Sequence, residues 1–89
     1  MSYEKNNREK LNQIIDTLSD LSLKDRLEVI ANVFIIYGVA EMSEYLELPE
    51  SVTPETAVDL VIDDVKTNGN TIGNTLAMQG IQILSWLQE

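Results

Sequence analysis

The sequence predicts an all-α fold, a compact irregular bundle of about four helices in a single domain covering residues 1–89. Three observations predict it. Apolar residues recur at helical spacing in four segments. Helix start and stop signals separate those segments. The longest apolar stretch, within VIANVFIIYGVA at residues 29–40, keeps its 3.6-residue phase into both flanks.

The first helix is expected from about Tyr3 to Leu18, with Ser2 as its cap. Leu11, Ile14, Ile15 and Leu18 fall at the i, i+3, i+4, i+7 spacing of one face. Its first half, EKNNREK, is polar all round and is expected to fray or project.

The second helix opens at Ser22. SLKD sets an acid three residues after a serine, a capping box with Asp in the usual Glu place. Its phase runs through Leu23, Leu27, Ile30, Ala31 and Phe34 to Gly38, Met42, Tyr45 and Leu46, and Pro49 ends it. VFIIYGV also has strand character, being rich in β-branched and aromatic residues. The unbroken phase and the absence of a turn signal favour helix. A helix apolar on every side belongs at the centre of a fold.

TPET starts the third helix, with Thr53 as N-cap and Pro54 at the first helical position. Ala57, Leu60, Val61 and Val65 are its expected inner face, and Asn68, Gly69 and Asn70 stop it. Asn70 or Thr71 then caps the fourth helix, which runs to about Leu87.

Composition narrows the chemistry. With no cysteine and no histidine, disulfides, the usual zinc sites and the familiar nucleophile–base pairs lose their residues. So small a domain is stabilised by a staple, and a second copy is the staple this composition favours. Fifteen acids against six bases, a formal net charge of -9, argue against direct nucleic-acid binding and against docking on anionic membranes. The start MSYEKNNREK is not a signal peptide, and no apolar run reaches the ~20 residues of a membrane span. Cytoplasmic location is the expectation.

Against that acidity, residues 67–88 (TNGNTIGNTLAMQGIQILSWLQ) carry no charge. With Ile72 as zero on a helical wheel, Ile83, Leu76 and Leu87 lie within about 60°, and Gly80, Gly73, Leu84, Ala77 and Ile81 extend the arc to about 180°. Each interior glycine costs a helix about 1 kcal/mol relative to alanine. Two on one face imply close approach of another helix, by the small-residue logic best known in membranes. The opposite arc has Asn74, Thr75, Gln79, Gln82 and Ser85, with Trp86 among them. Interfaces are depleted in Lys and Glu and enriched in aromatics and methionine. Gly73, Ala77, Met78, Gly80, Ile81, Leu84 and Trp86 are therefore the expected interface of a homodimer, together with part of the second helix. Gly80→Leu and Trp86→Ala are expected to weaken it. A gap between Tyr37, Met42, Met78 and Trp86 is a further candidate, for a small apolar ligand.

The second feature is the acidic run from Glu41 to Asp64: Glu41, Glu44, Glu47, Glu50, Glu55, Asp59, Asp63 and Asp64, with no base between them. Glu55, Asp59 and Asp63 share one stripe at i, i+4, i+8. The run reads as a solvated face, or as a patch for a basic protein, in the manner of acidic inhibitors that imitate DNA. Glu41-x-x-Glu44 facing Asp59 and Asp63 resembles the all-α nucleoside-triphosphate pyrophosphohydrolases, which hold magnesium between helices with carboxylates. That resemblance implies Glu41, Glu44, Asp59 and Asp63 as metal ligands. The second pair here is spaced i+4, where that family has i+3, and only Lys66 is near enough in sequence to hold a phosphate.

The residues therefore point first to a non-catalytic, cofactor-free interaction or regulatory domain acting as a homodimer. An acidic inhibitor of a basic or nucleic-acid-binding protein is second, and a magnesium-dependent hydrolase third.

Overall fold

The structure is a computed structural model and describes residues 2–43 and 52–88. Four helices account for nearly all of them: α1 (Ser2–Leu18), α2 (Leu23–Ser43), α3 (Pro54–Asn68) and α4 (Ile72–Leu87). No strand occurs among the described residues, and the helices pack as an irregular bundle. The apolar 29–40 stretch is helical, as its phase requires. Tyr45, Leu46 and Pro49, expected at the end of the second helix, lie outside the described residues.

Local chemistry sets the helix ends. Ser22 Oγ accepts the Asp25 backbone N–H at 3.2 Å and starts α2. Thr53 caps α3 by accepting the Thr56 N–H at 3.2 Å, and Pro54 occupies the first turn, where no N–H is required. Gly69 stops α3 with φ 70° and ψ -158°. That is not the left-handed helical cap expected from the NGN sequence but an extended positive-φ conformation, which is essentially open to glycine alone. Thr71, rather than Asn70, caps α4.

The main packing is α2 against α4, with α3 laid on both. Ala31, Ile35 and Val39 of α2, Ala57 of α3 and Leu84 of α4 form the buried cluster, with Leu60, Ile81 and Leu87 half-buried around it. Ala57 and Val61 are the buried face of α3, Leu60 is half-buried, and Val65 remains exposed one turn before the α3–α4 corner.

The place of α2 differs from a fully enclosed central helix. One side meets α4, while Val29, Val33 and Tyr37 on the far side are exposed. α1 has no extensive packing against any other helix. Its stripe of Leu11, Ile14 and Ile15 is more than half exposed, and only Leu18 is partly covered. The splayed α1 widens the molecule. Its radius of gyration is 14.4 Å, where a compact chain of this length has about 12 Å.

Candidate interaction surfaces

Three features bear on function: the small-residue seam of α4, the acidic side of α3, and the apolar surface shared by α1 and α2.

The glycines of α4 meet α2 of the same chain. A Cβ placed on Gly80 would lie 2.5 Å from the Ala31 carbonyl oxygen and 2.7 Å from Ile35 Cγ1. One on Gly38 would lie 2.5 Å from the Ala77 nitrogen and 2.6 Å from the Gly73 carbonyl oxygen. Gly38, Gly73, Ala77 and Gly80 thus let two backbones touch, and the dispersion attraction between them offsets the poor helix propensity of glycine. The expected interface set divides accordingly. Gly73, Ala77, Gly80 and Leu84 are buried within the chain, Ile81 is half-buried against the core, and Met78 and Trp86 are exposed. Gly80→Leu is therefore a test of folding, because its side chain would enter the α2 backbone.

The uncharged outer arc of α4 is mostly exposed, with one exception. Asn74 is buried, only 2% accessible. It closes a capping box, with its Oδ1 accepting the Thr71 N–H at 3.1 Å while Thr71 Oγ1 accepts the Asn74 N–H at 3.2 Å. Its Nδ2 donates to Asp64 Oδ2 at 2.7 Å and to the Gly69 carbonyl at 2.8 Å. Asp64 also accepts from Asn68 Nδ2 at 2.9 Å and from Thr71 Oγ1 at 3.1 Å. Hydrogen bonds from Asn68 and Asn74 lower the Asp64 pKa most; Thr71 adds to this, and partial burial opposes it. Asp64 is thereby the keystone of the α3–α4 corner. Two signals in the sequence mark the node, the Asp64–Asn68 spacing of four and the Thr71–Asn74 spacing of three.

Of the other acids, Glu41, Glu55, Asp59 and Asp63 are exposed. Glu44, Glu47 and Glu50 lie outside the described residues. Among the described residues no three carboxylates converge on a point where a metal ion would sit. Tyr37, Met78 and Trp86 are exposed and Met42 is half-buried, so these four do not wall a closed apolar cavity.

The third surface carries no sequence motif and is legible only in the fold. Ile14, Thr17 and Leu18 of α1 face Val29, Ile30, Val33 and Phe34 of α2 across an almost wholly apolar cleft of about 350 Å³. A second groove of about 470 Å³ runs along α2 past Leu21, Val29, Val33 and Ile36. Val29 and Val33 border both. The turn that sets this geometry is held by Arg26, whose Nε donates to the Leu21 carbonyl at 2.9 Å and whose Nη2 donates to the Ser19 carbonyl at 2.7 Å.

No helix of the described residues is long and apolar enough to cross a membrane. Comparison with protein-family models, curated proteins and solved structures finds no match to the chain.

Proposed function

We propose that this protein is a small acidic interaction domain that works as a homodimer. The observation that carries the reading is an excess of surface. The chain exposes 6899 Å². A folded monomer of 10.0 kDa exposes about 5,200 Å². The surplus of about 1,700 Å² is roughly twice what a standard interface takes from each partner. Much of the exposed surface is large aliphatic side chain, including Leu11, Ile14, Ile15 and Ile62. Such surface is costly to leave in water, at about 25 cal/mol per Å². A second copy is the partner every such chain has at hand.

Light scattering or sedimentation at several protein concentrations, in low and high salt, tests the reading. A dimer that persists in high salt supports an apolar interface. A monomer at every concentration up to a few hundred micromolar overturns it.

A second reading is supported by the exposed Glu55, Asp59 and Asp63, which form a stripe for a basic protein. It predicts binding that weakens with salt and is lost on charge reversal at Asp59 and Asp63. Binding indifferent to both rules it out.

A further inference from the structure

From the dimer reading, on which this step rests, we infer that two copies join through their α1–α2 hairpins, completing an intermolecular four-helix bundle. Three features carry it. The first is area. Leu11, Ile14, Ile15, Val29, Val33 and Tyr37 are each between 40% and 57% exposed. They amount to roughly 600 Å² of side chain, most of the ~800 Å² per partner of a standard interface.

The second is shape. Val29 and Val33 make a ridge between two apolar grooves. A helix ridge flanked by grooves is what helix packing interlocks, and across a two-fold axis the ridge of one copy enters a groove of the other. α2 is apolar almost all round between Val29 and Ala40, yet α4 covers only one side of it. The partner hairpin covers the other.

The third is charge. Residues 1–43 hold seven acids and five bases, whereas residues 44–89 hold eight acids and one base. Pairing through α1 and α2 brings the nearly balanced halves together and keeps the acidic halves apart. α3 also shows exposed apolar residues, Val58 and Ile62, but Glu55, Asp59 and Asp63 flank them. A two-fold axis there would set like charges against each other.

The experiment compares the mass of the full chain with that of Ile14→Glu, Val33→Glu, Ile62→Glu and Trp86→Glu, with circular dichroism on each. All four positions are exposed in the single chain, so the charge leaves the fold of a monomer undisturbed. Ile14→Glu and Val33→Glu are expected to raise the dimer Kd by more than about a hundredfold at unchanged helicity, because each buries an unpaired carboxylate. Ile62→Glu and Trp86→Glu are expected to stay dimeric. A parent dimer that survives both Ile14→Glu and Val33→Glu overturns the hairpin interface and leaves the dimer reading standing. A monomeric parent overturns both. Loss of helicity in a hairpin variant is resolved by cross-linking, since the chain has no cysteine of its own. Val33→Cys is then expected to give a covalent dimer with a short bis-maleimide where Gln79→Cys does not. The reverse pattern overturns the inference.

Discussion

Gly38 and Ala77 pack so closely that a Cβ on Gly38 would lie 2.5 Å from the Ala77 backbone nitrogen. The neighbour is backbone and cannot rotate aside, so α2 and α4 would have to part along the whole seam. Gly38→Ala is expected to destabilise the fold by roughly 2 kcal/mol in urea melts, overpacking outweighing the gain in helix propensity. Gly80→Ala, against the Ala31 carbonyl, should behave alike. Gly73→Ala should be much milder, since its nearest neighbours lie at 3.0 Å and include the flexible Met42 side chain. Equal losses at all three positions would mean that the glycines do not act through close approach.

Asn74→Ala removes a buried cap. It leaves the Thr71 N–H without its acceptor and takes one donor from Asp64 and another from the Gly69 carbonyl. The expected loss is about 1–3 kcal/mol in chemical denaturation. Amide exchange should speed up first around residues 69–75.

The Asp64 contribution depends on pH in a definite sense. Its folded pKa lies below the unfolded value, so its stabilisation is present above the unfolded pKa of about 3.9 and is lost as pH falls through the folded value. Asp64→Asn should therefore melt below the parent at pH 7, with the gap closing at the acid end. A gap unchanged from pH 7 to pH 3 would show that the ionised form adds nothing.

Arg26 ties the α1–α2 turn to two carbonyls from one side chain. Arg26→Ala should cost about 1–2 kcal/mol at this half-exposed site and free α1 in exchange measurements. Arg26→Lys should rescue little, because a point charge does not reproduce the guanidinium fork.

Trp86 is 66% exposed on the last turn of α4. Trp86→Ala is expected to shift stability by less than about 0.5 kcal/mol. Its fluorescence should keep the emission of a water-exposed indole at every protein concentration if the copies pair through α1 and α2. A blue shift on concentration would move the interface to α4.

The sequence by itself determined the secondary structure and its punctuation. Ser22, Thr53, Pro54 and Thr71 act within one or two turns of chain, and the 3.6-residue phase is a property of each helix alone. The sequence also showed that α4 approaches another helix, because glycine spacing records how close a neighbour comes. It carried no record of which helix that is. The Gly38–Ala77 and Gly80–Ala31 contacts join residues far apart in the chain, and a wheel cannot tell a helix of the same chain from one of a partner. Only the tertiary structure decided that the seam is internal, that Asn74 and Asp64 knit the α3–α4 corner, and that the apolar surface left in water belongs to α1 and α2. Burial depends on which elements meet, and that choice belongs to the whole chain.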